Sequence, residues 1–205
     1  MKTQVRKIFQ IILVSNLAAL LVIGLFLWKE GSFPLVGFPQ KPTLPYLGII
    51  QNFELVEKNG QPFTLDNLMK RPWVASFMFT TCAGQCPAMN AKLEKLQRLL
   101  PEGLSIVSFS VDPLTDTPAV LRSYAKNYNA DEGKWFFLTG DKRVIDKVLN
   151  NFYMNTSDNP ALHSLRFVLV DSAANIRGFY DSMDEDALRQ LVKDSKRLMR
   201  EPYGR

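Results

Sequence analysis

A three-layer α/β sandwich, one sheet covered by helices on both faces, is the fold class this sequence predicts, and three observations predict it. Strand-length apolar runs alternate with segments of helical periodicity from Trp73 to Asn151. Two further short apolar runs, joined by a tight turn, then precede a closing amphipathic helix. A long apolar segment and a proline-rich stretch set this domain, residues 47–205, apart from the amino terminus.

The amino-terminal segment comes first. Lys2, Arg6 and Lys7 precede a stretch from Ile8 to Trp28 whose polar interruptions are Gln10, Ser15 and Asn16. At ~1.5 Å per residue, a helix of that length reaches across a ~30 Å hydrocarbon layer. A cleaved signal peptide is the competing reading, but the apolar region is long and Leu27-Trp28-Lys29-Glu30 is a poor cleavage context. The sequence therefore predicts a retained transmembrane anchor over 8–28, with 1–7 as a cytoplasmic stub and Trp28 at the outer interface. The short basic stub, without an Arg/Ser-rich leader, favours a bacterial inner membrane, and the domain is then periplasmic. Residues 29–46 carry Pro34, Pro39, Pro42 and Pro45, which extend the chain as a semi-rigid linker.

Inside the domain, Asn52–Val56 and Pro62–Leu65 flank Lys58-Asn59-Gly60 and read as a hairpin, with Asp66 capping a short helical turn after it. Trp73–Thr80 is a near-continuous apolar run, as in a strand buried on both faces. From Cys86 to Leu100, Met89, Leu93, Leu96 and Leu100 share one helical face, and Pro87 fits the first turn. Leu104–Val111 is a second buried strand. Thr117-Pro118 opens a helix through Tyr128, Trp135–Leu138 is a strand, and Gly140-Asp141 starts a helix to about Asn151. Leu165–Asp171 and Ile176–Tyr180 pair as a hairpin, and Asp184 caps the last helix. The order is that of a thioredoxin-like three-layer α/β sandwich preceded by one transmembrane helix. The net charge of +5 includes the three cations of the stub, so the outer domain is only mildly basic and no nucleic-acid partner is expected. Lys193, Lys196, Arg197 and Arg200 on the last helix are read as facing water.

The chain has two cysteines, Cys82 and Cys86, and one histidine, His163. Two thiolates and an imidazole suit a thiophilic ion such as cuprous copper. The cysteines fall where the first long strand hands over to its helix, the carboxyl edge of the sheet where α/β folds place their chemistry. Four residues apart, they share a helical face if the first turn includes both, and a helix amino terminus favours thiolate. The same spacing can close a disulfide. Thiol–disulfide exchangers usually have two residues between their cysteines; here there are three, Ala83, Gly84 and Gln85. Asp112 and Asp116, in the loop leaving the second buried strand, are candidates to touch the metal or its histidine from behind, although helix capping is the ordinary role for Asp116. Met78 and Met89 sit in apolar patterns and read as core.

Taken together, Phe77-Met78-Phe79-Thr80-Thr81-Cys82 through Cys86-Pro87, Ser110-Val111-Asp112-Pro113 with Asp116-Thr117-Pro118, Phe137-Leu138-Thr139-Gly140, and His163-Ser164 before Val168-Leu169-Val170-Asp171 resemble the Sco/SenC copper chaperones of cytochrome c oxidase assembly. The likeness covers most of Phe53 to Tyr180. It implies that Cys82, Cys86 and His163 bind copper and that the client is the dinuclear copper centre of oxidase subunit II, with an upstream thiol reductant or copper donor. Many members have proline after the first cysteine and an acidic residue before the second, where this chain has Ala83-Gly84-Gln85; that bears on partner choice and redox tuning. Family members divide between delivering copper and reducing the client's cysteines. The competing class is an extracytoplasmic thiol–disulfide oxidoreductase using Cys82 and Cys86 with an incidental histidine. A Cys82 peroxidase and a purely structural interaction module are weaker alternatives.

Overall fold

The computed structural model describes residues 2–29, 43–154 and 165–200. They fall into two units, Met1–Thr43 and Leu44–Arg205. The first holds helix α1, Lys2–Lys29, a single helix of 28 residues with Ile12, Leu13, Leu17, Leu20, Leu21 and Phe26 exposed. Among the described residues no helix is long and apolar enough to cross a membrane. Most of the linker assigned to 29–46 lies outside the described residues.

The second unit is built on an eight-stranded sheet: β1 (Gly48–Ile49), β2 (Glu54–Glu57), β3 (Pro62–Thr64), β4 (Trp73–Met78), β5 (Ser105–Ser110), β6 (Trp135–Thr139), β7 (Arg166–Val170) and β8 (Asn175–Asp181). Their order is β1-β8-β7-β4-β5-β6-β2-β3. Strands β4, β5 and β6 run parallel; β7 lies antiparallel to β4 on its other side. The helices are α2 (Cys86–Leu99), α3 (Pro118–Lys126), α4 (Lys142–Asn151) and α5 (Glu185–Leu198).

All six residues of β4 are buried, and the two-residue period divides them between the faces. Trp73, Ala75 and Phe77 pack under α4 with Phe109, Phe152, Ile145 and Val148. Val74 and Met78 pack under α2, α3 and α5 with Met89, Leu93, Leu121, Leu188 and Leu191. Each such side chain, fully removed from water, contributes ~1.5–3 kcal/mol. Ser76, at mid-strand, is satisfied across the sheet: its Oγ lies 2.8 Å from Ser108 Oγ, which also accepts from Trp135 Nε1 at 2.9 Å.

Two local expectations are corrected. Asp66 lies inside the short 3-10 helix Leu65–Leu68; Asn67 closes that turn, its Oδ1 accepting the Thr64 amide at 2.7 Å. Strand β1, unforeseen, joins the edge through Leu47 N–H to Ile176 O at 2.9 Å and Ile50 N–H to Ala174 O at 2.8 Å. Asp171 and Arg177 stabilise that edge. The Asp171 carboxylate accepts from the Ala173 and Asn175 amides, each at 2.9 Å, and pairs with Arg177 Nη1 at 2.8 Å. Arg177 also donates to the carbonyls of Leu44 and Pro45, tying the start of this unit to β8.

Burial opposes ionisation of Asp171, but the hydrogen bonds from Asn175, Arg177 and Ala173 outweigh it and hold the carboxyl below its ordinary range. A depressed folded value stabilises above the unfolded pKa of ~3.9 and is lost as pH falls through the folded one. Asp171→Asn is therefore expected to lower stability by about 1–3 kcal/mol at neutral pH. The gap between variant and parent should narrow in urea unfolding carried out below about pH 4.

Candidate metal centre

Strand β4 leaves the sheet at Met78, whose carbonyl accepts the Val111 amide at 2.9 Å, and the chain then loops to α2 at Cys86. One carboxylate fixes this loop to the neighbouring strand. Asp116 is 0 % exposed. It accepts the Thr80 amide at 3.1 and 3.3 Å, the Thr80 hydroxyl in a short contact, and the Ser110 hydroxyl at 2.6 Å. Ser110 Oγ in turn accepts the Asp112 amide at 3.1 Å. Asp116 is thus a bridge between the cysteine approach and the end of β5, not a cap; Thr117 caps α3, its hydroxyl accepting from Val120 N–H at 3.4 Å. The Asp112 carbonyl accepts the Thr115 and Asp116 amides, and its carboxylate has no hydrogen-bond partner among the described residues.

The helix begins at Cys86, so Cys82 lies ahead of it and the pair does not share a helical face. Cys86 is 2 % exposed and packs with Met78, Met89 and Leu93, while Cys82 is half-exposed at the surface of that cluster. Both are free thiols. The N-cap residue Gln85 makes no side-chain cap. The Cys82 sulfur lies near this turn, where the Cys86 thiol and the amides of Cys86, Gly84 and Gln85 favour its thiolate. Gly84 passes close, a Cβ there standing 3.9 Å from that sulfur.

The two thiols consequently differ. Burial opposes ionisation of Cys82, but the four hydrogen bonds outweigh it and hold its pKa below the ordinary thiol value. Burial pushes Cys86 up to about 12, helped by its donation to Cys82 and by the charge there. One turn along α2, Asn90 is buried and donates to the Tyr124 hydroxyl at 2.9 Å, giving Cys86 a partly polar floor. Tyr124 is itself held above the ordinary phenol value by burial, with Tyr128 and Cys86 adding to the effect.

The site thus brings two sulfurs close enough to shift each other's ionisation, a donor set that fits a soft metal. Among the described residues no group of three His, Cys, Asp or Glu side chains could hold an ion. His163 falls in 155–164, outside the described residues. Met78 and Met89 are fully buried core, as expected, and Lys193, Lys196 and Arg200 are exposed. Thr80 and Ser110, missed from sequence, are the hydroxyls that make the Asp116 bridge; polar residues at the ends of two apolar strands were the available signal.

A family profile described as SCO1/SenC matches residues 44–200. An SCO2-like protein of Rickettsia prowazekii is 29% identical over 203 residues, covering 88% of this chain and 98% of its own. Among solved structures, BsSco, described as a member of the Sco family of cytochrome c oxidase assembly proteins with a disulfide switch, superposes with a TM-score of 0.66 at 28% identity, covering 78% of this chain and 96% of its own. Arabidopsis thaliana ScoI, solved with copper bound, gives a TM-score of 0.61 at 26% identity, covering 73% and 99%. The α/β thioredoxin-like fold expected from the sequence is the one these structures share.

Two outcomes are expected. Alkylation of the reduced chain at neutral pH should modify Cys82 first and Cys86 slowly, and Cys82→Ser should abolish the fast phase in intact-mass kinetics. Asp116→Ala, which strands the Thr80 amide and the Thr80 and Ser110 hydroxyls, should lower stability by about 2–4 kcal/mol in denaturant unfolding.

Proposed function

The chain belongs to the SCO1/SenC family, and from that premise we propose that it is a membrane-anchored metallochaperone that carries copper on Cys82, Cys86 and His163. Its client on this reading is the dinuclear copper centre of cytochrome c oxidase subunit II, and the dithiol is kept loadable by an upstream reductant or copper donor. The observation that carries the proposal is the sulfur pair itself: two free thiols at the β4–α2 junction, Cys82 half-exposed and Cys86 buried, each shifting the other's ionisation. A cuprous ion bridging both sulfurs replaces the Cys86 proton, which burial otherwise retains. Relatives support the cargo and its destination, since ScoI carries copper and BsSco is assigned to oxidase assembly.

Chain direction supports the third ligand. Strand β7 is antiparallel to β4, with Val168 paired to Ala75, so β7 begins at the end of the sheet where β4 finishes. His163 precedes Leu165 by two residues in the sequence. A parallel β7 would have begun at the opposite edge. Asp112 stands on the same edge of the sheet, with a carboxylate available to the imidazole, whereas Asp116 is committed to the Thr80 bridge.

Anchoring in a bacterial inner membrane rests on the amino terminus. Lys2, Arg6 and Lys7 precede the apolar run 8–28, and α1 is one uninterrupted helix over it. The amino terminus is then cytoplasmic and the Leu44–Arg205 unit periplasmic.

The inequality of the two thiols supports a second role at the same client. Cys82, with its lowered pKa and open face, is suited to attack a disulfide; the Cys86 sulfur beside it then displaces the mixed disulfide. The balance is one dithiol oxidised and one client disulfide reduced.

Titration of the reduced chain with cuprous ion, followed by native mass spectrometry, is expected to stop at one copper per chain. Cys82→Ala and Cys86→Ala should abolish tight binding, and His163→Ala should weaken it about tenfold or more with a changed spectrum. A histidine variant that binds as tightly as the parent removes the third ligand from the proposal.

A further inference from the structure

Leu114 is 89 % exposed, more than any other large apolar side chain among the described residues, including those of α1. A single exposed leucine is ordinary on a protein surface. Its setting is not. It sits at the tip of the loop between β5 and α3, and that loop is held at both ends: the Asp112 carbonyl accepts the Thr115 and Asp116 amides at 3.2 and 2.9 Å, and the buried Asp116 carboxylate ties the loop to Thr80. Leu114 is two residues from Asp116 and Cys82 two from Thr80, so their backbones lie within roughly 20 Å of each other. That distance fits inside one interface patch of ~800 Å².

The chain on either side of the Asp116 bridge carries no exposed charge. Residues 80–91 include no charged side chain, and in 113–121 the one charge is Asp116, fully buried. Thr81, Ala83, Gly84, Gln85, Pro87 and Ala88 are exposed on the cysteine side, and Thr115 and Val120 on the leucine side. Asp112, half-buried at the foot of the loop, is the acidic margin of this face. Charges make up 22% of the chain, so the two stretches joined by the Asp116 bridge are depleted of exposed charge, as interface cores are.

We propose that this uncharged face, with Leu114 as its apolar anchor, is where the metal-accepting protein docks on Cys82. The proposal rests on the metal-carrier reading above and names the partner's chemistry: a neutral, apolar-rimmed surface carrying soft ligands. A charged partner loop would be stripped of water against a face offering it no counter-charge. Because the Asp116 bridge fixes Leu114 relative to the thiols, docking orders little further chain, and the partner's ligand is presented to the exposed sulfur.

The test uses the full-length chain in detergent, loaded with cuprous copper. Transfer is timed to the purified soluble copper domain of an oxidase subunit II and, separately, to a small-molecule cuprous chelator. Leu114→Glu is expected to load copper as the parent does and to supply the chelator at the parental rate. Its second-order transfer to the protein should fall about tenfold or more, while Leu114→Met keeps the parental rate. Parental transfer should change less than about twofold between low and high salt, since no exposed charge steers it. The proposal is overturned by unchanged protein transfer in Leu114→Glu, by steep salt dependence, or by a parent that serves the protein no faster than the chelator. Concentration-dependent self-association that Leu114→Glu abolishes also overturns it, because the occupant is then a second copy. A parent that fails to load copper overturns the metal-carrier reading and the docking face with it, and is told apart from loss of docking alone by the loading measurement.

Discussion

One buried carboxylate holds the working end of this sheet together. Asp116 has no solvent exposure and no cationic partner among its hydrogen bonds; the Thr80 amide and the hydroxyls of Thr80 and Ser110 satisfy it. An anion taken out of water costs several kcal/mol unless its lone pairs are filled, so the strand ends cannot drift apart without exposing that cost. Thr80 precedes the cysteine loop and Ser110 ends β5. The constraint thus fixes where Cys82 begins and where the 112–116 loop turns, two features that no apolar contact in the core beneath them determines.

The unequal thiols follow from where α2 starts. Because Pro87 occupies the first turn and Gln85 leaves the cap position without a side-chain acceptor, the free amides of that turn are open to an acceptor brought in by the loop. Cys82 lies beside that turn, with the Cys86 amide and the loop amides of Gly84 and Gln85 favouring its thiolate. The third intervening residue gives the loop the length to fold back. Cys86, as the first helical residue, is turned into the core with Met89 and Leu93.

Much of this was legible in the sequence, and what was not has physical reasons. The runs 73–80 and 104–111 read as strands because both faces of β4 and β5 are buried, and the helix over 86–100 read correctly because Met89, Leu93, Leu96 and Leu100 all point inward. Strand β1 left no pattern: two residues cannot show a period, and its pairing depends on Arg177 gripping the Leu44 and Pro45 carbonyls from far along the chain. The Cys82–Cys86 spacing admitted a shared helical face, and only the real start of α2 excluded it. Asp116 sits one residue before a Thr-Pro helix start, where sequence favours a cap; the loop turns its carboxylate inward, a tertiary choice invisible locally. Asp112, two residues past the end of β5, gave no local signal either way.

The same asymmetry would set the terms of the proposed metal-carrier role. The Cys86 thiol, its pKa raised to about 12, keeps its proton at neutral pH unless something positive takes its place, and the apolar wall of Met78, Met89 and Leu93 offers no side chain to do so. Cys82, already favoured as thiolate, would provide the first attachment. The charge of an ion held there would lower the cost of releasing the buried proton, so entry would be ordered from the half-exposed thiol to the buried one, and release would reverse it with Cys86 reprotonated.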